Sequence, residues 1–479
     1  MRTRLVLQLV LGLIGPVIAQ AQIGGTFAAT GNMTAPRATH TATLLPNGKV
    51  LIAGGGSATL ELYDPVTGTF TATAATASPI VVSATLLPDG RVLLIESRNA
   101  ELYDPSAGTV TATGQGGNSP CAPARMCGAT LLTNGKVLIT SSGNPQLYDP
   151  STGAFTLSGP YANVYTQNED GFQTTVTLLP SGNVLFAEDS LYVNYSAELY
   201  DCTTNTFRLT GAMVSFLLGR TTTLLVNGKV LRAGGAADFY DSHFYQKNEQ
   251  YDPATGMFTA TGDLITPRSD HVAVLLPDGT VLVTGGVGLF DMVPFFYRAS
   301  AELYNSSTGT FTATGNMTAR RVNHTATVLN DGRVLITGGI SPVGTSPDFS
   351  VDWIQSSAEI YTPPVLIPAP ALFSMSGDGR GQGAIWHAQT GQIASADSPA
   401  AAGESLSMYT TSLSDGSVIP PQVAVGGRLA QVLYFGAAPG YPGYYQVNFV
   451  VPAGVPTGPA PVRLTYIGRS SNAVTIGVQ

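Results

Sequence analysis

The stretch Leu44-Leu45-Pro46-Asn47-Gly48-Lys49-Val50-Leu51-Ile52 decides the fold, because variants of it recur through most of the chain. Each copy places a two-residue turn between two apolar runs. Asn-Gly or Asp-Gly at such a position favours a tight β-hairpin, since both residues tolerate a positive φ. The seven turn pairs are Asn47-Gly48, Asp89-Gly90, Asn134-Gly135, Ser181-Gly182, Asn227-Gly228, Asp278-Gly279 and Asp331-Gly332.

A second motif, Glu-Leu-Tyr-Asp-Pro in its fullest form, follows each hairpin, and a run such as Gly309 to Gly315 (Gly-Thr-Phe-Thr-Ala-Thr-Gly) follows that. Each unit therefore predicts four short strands, the content of one propeller blade. The sequence predicts an all-β chain built on a seven-bladed β-propeller. The motif tyrosines are Tyr63, Tyr103, Tyr148, Tyr200, Tyr251, Tyr304 and Tyr361.

The two ends of the repeat region predict how the ring closes. The last unit stops at Tyr361-Thr362-Pro363-Pro364 without its fourth strand. A matching strand stands alone at Gly25 to Gly31. We expect this N-terminal strand to complete the last blade, which would leave no free sheet edge between the first and last blades.

The repeat resembles the kelch repeat, which is also found in the galactose oxidase propeller. The residues that carry the resemblance are Arg37-x-x-His40, Gly54-Gly55 and Glu61-x-Tyr63-Asp64, and it covers about residues 25–363. It is specific in blades 1, 6 and 7. Blade 5 keeps Gly234-Gly235 but has Arg220 at the histidine position, and blades 2 to 4 lose the glycine pair.

The chain extends beyond the repeat region at both ends. Residues 1–21 are typical of a signal peptide, with Arg2 and Arg4, an apolar run and Ala19-Gln20-Ala21. The sequence predicts a secreted, periplasmic or cell-surface protein, monomeric and without a membrane span once the signal is removed. A net charge of −8 without a basic cluster argues against nucleic-acid binding. Cys121 and Cys127 could form a disulfide, which leaves Cys202 over.

We expect the propeller to occupy residues 22–363 and a proline-rich linker residues 364–370. Residues 371–479 show short β-rich runs separated by turns, which predict an immunoglobulin-like (Ig-like) β-sandwich. The runs Pro442 to Pro452 and Ser470 to Ile476 resemble a C-terminal domain recurrent in secreted proteins of soil bacteria. That resemblance implies an accessory module.

Binding is predicted on the face that carries the variable loops, because loops held by a rigid scaffold carry recognition. The long loops of blades 4 to 7 place aromatic rings beside carboxylates, which suits a glycan or an extracellular protein ligand. Packing of these rings within their own loops is the alternative. The expected function is non-catalytic binding, without a cofactor. The predicted ligand-binding residues are Tyr161, Tyr165, Tyr240, Asp241, His243, Tyr245, Phe295, Phe296, Tyr297, Arg298, Phe349, Asp352 and Trp353.

Several polar residues recur at repeat positions and are expected to form the scaffold. A three-histidine metal site is the alternative for the pairs Arg37/His40, Arg268/His271 and Arg321/His324, but recurrence favours hydrogen bonds within each blade. The repeat glutamates are expected to be buried partners of arginine or backbone groups. Glu96, Glu188 and Asp189 stand at glycine positions, where solvated surface acids are expected and a cation site is the alternative.

The resemblance to galactose oxidase also implies an enzyme alternative. That family holds copper with two histidines, one of them from the C-terminal domain, and two tyrosines, one cross-linked to a cysteine. Here His387 lies in the C-terminal domain, and His243 lies near Tyr240 and Tyr245. No motif places a cysteine–tyrosine pair. A copper radical oxidase or another carbohydrate-active enzyme is therefore the second hypothesis.

Overall fold

A computed structural model describes residues 24–96, 99–114, 127–140, 144–162, 174–188, 196–214, 219–236, 247–290, 293–342 and 352–479. The backbone alone is described at residues 174, 188, 196, 289–290, 293–295, 342 and 352. The predicted signal peptide lies outside these ranges. Within them, no helix has the length and apolar character needed to cross a membrane.

The described part of residues 26–362 forms seven four-stranded antiparallel sheets, each built from one sequence repeat. The first strand, β1 (Thr26–Ala29), belongs to the last of them, sheet 7. Sheets 1 to 3 comprise β2 (His40–Leu44), β3 (Val50–Gly54), β4 (Ser57–Asp64) and β5 (Thr69–Ala75); β6 (Val81–Leu86), β7 (Val92–Glu96), β8 (Ala100–Asp104) and β9 (Thr109–Thr113); and β10 (Gly128–Leu131), β11 (Val137–Thr140), β12 (Gln146–Asp149) and β13 (Ala154–Leu157).

Sheets 4 to 7 follow the same order, with a small extra hairpin inserted in sheet 6 and another in sheet 7. The strands are β14 (Thr174–Leu178), β15 (Val184–Glu188), β16 (Ser196–Asp201) and β17 (Thr206–Ala212); β18 (Thr221–Leu224), β19 (Val230–Ala233), β20 (Asn248–Asp252) and β21 (Met257–Thr261); β22 (Val272–Leu275), β23 (Thr280–Thr284), the hairpin β24 (Val287–Phe290) and β25 (Val293–Tyr297), β26 (Ala301–Asn305) and β27 (Thr310–Ala313); and β28 (Thr325–Val328), β29 (Val334–Thr337), the hairpin β30 (Ile340–Pro342) and β31 (Asp352–Ile354), and β32 (Ala358–Thr362).

The N-terminal strand completes sheet 7, as the sequence predicts. β1 pairs antiparallel with β32, so that Thr26 faces Thr362 and Ala29 faces Glu359. The first strand of each sheet contacts the first strand of the next, from β2 through β6, β10, β14, β18 and β22 to β28, and β28 contacts β2. The sheets therefore form a closed ring, which is consistent with a β-propeller.

The motif tyrosines are fully buried, and all except Tyr200 bond to a threonine hydroxyl of the preceding sheet. Tyr200 instead donates to Asn205 within its own sheet. The Tyr63 hydroxyl in sheet 1 is 3.0 Å from the Thr30 hydroxyl that follows β1, and Tyr361 in sheet 7 makes the same bond to Thr314 of sheet 6. A buried hydroxyl needs such a partner, because an unpaired one costs desolvation energy. The conserved spacing of tyrosine and threonine within the chain thus joins the sheets edge to edge.

Residues beyond 380 form two further antiparallel sheets around a shared apolar core. One has the order β33-β34-β38-β37 and the other β36-β35-β39-β40, with β41 paired to β39. The strands are β33 (Ile385–His387), β34 (Ser405–Thr410), β35 (Gln422–Val425), β36 (Arg428–Ala430), β37 (Val432–Ala437), β38 (Tyr445–Val450), β39 (Gly458–Tyr466), β40 (Arg469–Ser470) and β41 (Val474–Val478).

This C-terminal domain rests on the tight hairpin turns of the ring. Val418 N donates to Val226 O at 2.9 Å, and Ser414 Oγ donates to Pro277 O at 3.0 Å. A cavity of about 490 Å³ lies between the domain and the first strands of the sheets. Of the described residues that line it, Arg463 alone carries a charged side chain. The rest of its described lining is apolar or carries hydroxyl and amide groups.

Candidate functional site

Two extra hairpins stand where the second strand of a sheet leads into the third. The hairpin β24–β25 is joined to the chain before β22 by a bridge between Ser269 and Val287. The hairpin β30–β31 is joined to the chain before β28 by a bridge between Val322 and Ile340. We call the surface that carries these two hairpins the loop face. It lies at the opposite ends of the strands from the turns that the C-terminal domain covers.

Phe296, at the end of the first hairpin, lies against two guanidinium groups. The ring centroid is 4.1 Å from the Arg320 guanidinium and 5.5 Å from that of Arg298. A cation over a ring face is an attractive contact. Tyr297 is half-buried beside it, whereas Trp353 of the second hairpin is 60% exposed. On the described part of the loop face, Trp353 is thus the large ring most open to a ligand.

Tyr161 packs inside sheet 4. Its ring meets Phe207 at 4.9 Å and Phe186 at 6.0 Å, both edge-on. The remaining predicted ligand-binding residues cannot be placed in this way. Tyr165, Tyr240, Asp241, His243, Tyr245 and Phe349 lie outside the described residues, and Phe295 and Asp352 are described by their backbone alone.

The repeat arginines and glutamates form buried ion pairs within single sheets. Arg37 pairs with Glu61 at 2.8 Å, and both side chains are fully buried. Arg37 Nη1 also donates to the Gly54 carbonyl at 2.6 Å, which satisfies the guanidinium from two sides. The equivalent pairs are Arg268–Glu302 at 2.8 Å, Arg321–Glu359 at 2.9 Å, and Glu249 with both Arg220 and Arg232.

The repeat histidines bond between sheets rather than within a blade, and the sequence-based prediction is wrong on this point. His40 Nε2 of sheet 1 is 2.8 Å from Thr337 Oγ1 of sheet 7, and His324 of sheet 7 is 2.9 Å from Thr284 of sheet 6. His271 reaches Thr221 of sheet 5 in the same way. Burial, and then the neighbouring arginine, lower the pKa of each imidazole to about 3, so each is neutral at ordinary pH.

Sheet 2 holds two carboxyl groups where sheets 1, 5, 6 and 7 hold an arginine and a carboxylate. Glu96 occupies the position in sheet 2 that corresponds to Gly54 in sheet 1. Ser78 occupies the position that corresponds to Arg37. Glu96 Oε1 accepts from Ser78 N at 3.1 Å, while Glu96 Oε2 has no hydrogen-bond donor. Burial, and then the charge of Glu101, raise the pKa of Glu96 to about 7. Glu96 is fully buried, so its prediction as a solvated surface acid is wrong.

His387 lies in β33 with both ring nitrogens hydrogen-bonded. Nδ1 is 2.5 Å from Glu404 Oε1, and Nε2 is 2.9 Å from the Ser398 carbonyl oxygen. Burial lowers the pKa of His387, but the hydrogen bonds to Glu404 and Ser398 outweigh it and raise the pKa above its usual value. The ring thus joins two chain segments through hydrogen bonds at both of its nitrogens.

Across the described ranges, no three histidine, cysteine, aspartate or glutamate side chains form a group that could hold a metal ion. Cys127 is disulfide-bonded, and Cys202 is a free thiol 3.7 Å from the Thr133 hydroxyl at the turns of sheets 3 and 4. Glu188 is described by its backbone alone, and Asp189 lies outside the described residues.

No protein-family model matches the chain. Galactose oxidase of Gibberella zeae is 32% identical over 149 residues, which is 29% of this chain and 20% of that protein. The chain therefore spans about a fifth of the length of the curated relatives it matches. A solved structure of a fungal alcohol oxidase of the AA5 family, in complex with copper, aligns with 95% of this chain and 100% of its own, at 17% identity and a TM-score of 0.60.

These similarities correct the functional prediction. Both proteins are oxidases, so they contradict a non-catalytic binding protein and favour the enzyme alternative. The structural likeness, at 17% identity, establishes the fold alone. The all-β architecture is therefore of the kind found in galactose oxidase and the AA5 alcohol oxidase.

Proposed function

We propose that this protein is a secreted oxidase of alcohol groups, related to galactose oxidase. The observation that carries the proposal is the 32% identity to galactose oxidase over 149 residues. The alignment of 95% of the chain with a copper-containing alcohol oxidase supports the same reading at the level of the fold. The substrate would be a small alcohol or a glycan that carries one.

The described side chains do not fit the copper site of that family. The chain has five histidines, and four of them are described. His40, His271 and His324 are buried with Nε2 bonded to a threonine hydroxyl, and both nitrogens of His387 are bonded within the C-terminal domain. His243 is the remaining imidazole. A centre with two histidine ligands would require one described histidine to leave its partners, so we derive no reaction step through copper.

The loop face is the proposed substrate side. The cavity on the opposite side holds one arginine as its charged group and is covered by the C-terminal domain. The loop face instead carries Trp353, Tyr297 and the Phe296–Arg320 contact. His243, Tyr240 and Tyr245 belong to the same set of loops in the predicted topology, and they are the groups we propose for the reaction.

The proposal is tested with the purified full-length chain incubated with copper. We expect hydrogen peroxide and oxygen consumption with galactose or a simple primary alcohol. His243→Ala should lower the rate by roughly 100-fold or more, since a positioned acid–base group contributes on that order. His387→Asn is the control and should leave the rate unchanged. Absence of peroxide from every alcohol tested would reject the oxidase.

The finer architecture is part of the proposal. The seven sheets and their closed ring of contacts support a seven-bladed kelch-type propeller over residues 22–363. The two sheets around one core support an Ig-like sandwich over residues 371–479, after a linker at residues 364–370. A monomer exported through the N-terminal signal is the proposed form. Partners are proposed to be extracellular glycans or proteins presented to the loop face.

A further inference from the structure

The outer face of the C-terminal sheet β33-β34-β38-β37 carries aromatic rings that the reaction proposal does not use. Side chains alternate along its strands. Leu406, Met408, Val447 and Phe449 are buried in the domain core. The residues between them therefore point outward, away from the second sheet.

Strand register brings the outward residues together. Trp386 is opposite Ser407, Ser407 is opposite Asn448, and Asn448 is opposite Tyr434. The next row places Tyr409 opposite Gln446 and Gln446 opposite Gly436. The Tyr434 hydroxyl lies over Gly436, where a Cβ would approach it to 2.9 Å. The lack of a side chain at Gly436 thus lets the Tyr434 ring lie along the sheet.

The rings form a continuous row along one side of this face. Trp386 and Tyr409 have centroids 5.6 Å apart at 66°, and Tyr409 and Tyr441 have centroids 5.7 Å apart at 55°. Tyr441 is 58% exposed and Tyr434 is 43% exposed. Successive rings are inclined to one another, so they form an angled surface rather than a flat plane.

Amide groups lie between the rings. Gln446 Nε2 donates to Asn448 Oδ1 at 2.9 Å and approaches Ser407 Oγ at 3.3 Å. These bonds fix the orientation of the two amides and leave further donors and acceptors toward solvent. The face therefore combines ring surfaces with oriented hydrogen-bonding groups.

The charge of this face restricts its partner. The exposed residues of its four strands are aromatic, amide, hydroxyl or aliphatic, Leu433 among them, and none is ionised. A nucleic acid requires lysine and arginine at the contact. The amide groups of Gln446 and Asn448 also make this face more polar than the centre of a typical homodimer interface. A neutral chain of sugars matches both the aromatic rings and the amide groups of this face, since sugar C–H surfaces stack on rings and sugar hydroxyls bond to amides.

We infer that the face formed by Trp386, Tyr409, Tyr441, Tyr434, Gln446 and Asn448 binds a neutral, soluble polysaccharide chain. The angled rings suit a single chain better than the flat surface of a crystal. This site lies on the C-terminal domain and is separate from the loop face of the ring. It would hold the protein on a polymer while reaction takes place elsewhere on the molecule.

Affinity gel electrophoresis of the full-length protein tests the inference without any turnover, so its result is independent of the oxidase proposal. Gels contain galactomannan, xyloglucan or mixed-linkage β-glucan as neutral probes and polygalacturonate as the anionic probe. We expect retardation by at least one neutral polymer and weaker retardation by polygalacturonate. Tyr441→Ala and Tyr434→Ala should each weaken the neutral interaction by roughly tenfold, which corresponds to a modest loss of binding energy.

Leu157→Ala on the outermost strand of sheet 3 is the matched control, because it also removes a well-exposed apolar side chain but lies outside both surfaces. It should migrate as the wild type does. Unchanged thermal unfolding of Tyr441→Ala and Tyr434→Ala shows that these surface changes leave the fold intact. No retardation by any neutral polymer, equal retardation of wild type and both tyrosine variants, or loss of retardation in Leu157→Ala would each overturn the inference.

Discussion

At the residue scale, sheet 2 differs from sheets 1, 6 and 7 in the charged groups that it buries. Sheets 1, 6 and 7 bury an arginine against the repeat glutamate, whereas sheet 2 buries Glu96 against Glu101. Burial and the charge of Glu101 make ionisation of Glu96 costly, so Glu96 keeps its proton to a higher pH than usual. Ala77 N and Ser78 N donate to the two carboxyl groups and hold them in position.

This pair predicts stability that depends on pH. The folded pKa of Glu96, about 7, exceeds its ordinary value of 4.5, so the folded state holds the extra proton between those values. The contribution of Glu96 to stability is therefore greatest below about pH 4.5 and declines as pH rises toward 7. Glu96→Gln should remove this decline and stabilise the protein at pH 8 by on the order of 2 kcal/mol. Chemical denaturation at pH 4.5 and 8 measures it.

Glu61→Gln in sheet 1 is the matched control for this prediction. The same chemical change there removes the partner of buried Arg37 and should destabilise the protein by roughly 3–5 kcal/mol. Equal effects of the two substitutions at pH 8 would show that Glu96 is not held in a protonated pair.

At the scale of elements, the kelch glycines make room for the histidine of the next sheet. A Cβ on Gly285 would approach the Arg321 carbonyl oxygen to 2.5 Å and His324 Cε1 to 2.7 Å. Gly338 meets Arg37 and His40 in the same way. Where Glu96 replaces the glycine in sheet 2, the following sheet has no repeat histidine. Gly234, Gly285 and Gly338 thus each face the histidine of the following sheet, whereas Gly54 of sheet 1 faces Val81.

Comparing Gly285→Ala with Gly56→Ala separates the energetic cost of this contact from the cost of backbone strain. Both glycines have a positive φ, at 65° and 96°, but a Cβ on Gly56 meets nothing within 4 Å. Each substitution should cost about 1–2 kcal/mol, because alanine disfavours a positive φ. Gly285→Ala should lose roughly 1–3 kcal/mol more in the free energy of unfolding, because the methyl group overpacks the His324 ring. Equal losses in urea titrations would contradict the contact.

The sequence predicts the sheets better than the contacts between them. Asn-Gly and Asp-Gly turns mark the hairpins, and the unmatched strand at Gly25 to Gly31 predicts the pairing of β1. The sequence shows that sheet 2 has a glutamate at the glycine position and lacks the arginine. It does not show that the carboxyl group of Glu96 is buried. The row of Trp386, Tyr409 and Tyr441 comes from three separate segments, and only the register of β33, β34 and β38 brings them together.

At the scale of the whole molecule, the ring depends on one short strand. β1 contributes the outermost strand of sheet 7, and its Phe27 ring lies 4.7 Å from Tyr361. Phe27 is half-buried, whereas Thr26 beside it is exposed. The bond from Thr30 to Tyr63 then ties the same segment to sheet 1. The segment thus joins the first and last repeats.

Phe27→Ala should therefore destabilise the entire ring. We expect a loss of roughly 1–3 kcal/mol in the free energy of unfolding, below the cost for a fully buried phenylalanine. Thr26→Ala, on the opposite side of the strand, should change it by less than about 0.5 kcal/mol. Calorimetry of the two variants measures the difference, and equal melting temperatures would argue against closure through β1.

The pairing of β1 with β32 also orders events during synthesis. Residues 26–29 leave the ribosome more than 300 residues before their partner strand. Until then the nascent chain exposes an unpaired β1 and, later, an unpaired edge on each completed sheet. Such edges invite association with other chains, and long-range pairing is slow. Delivery of the polypeptide in an unfolded form, with folding deferred until residue 362 is present, would avoid that hazard.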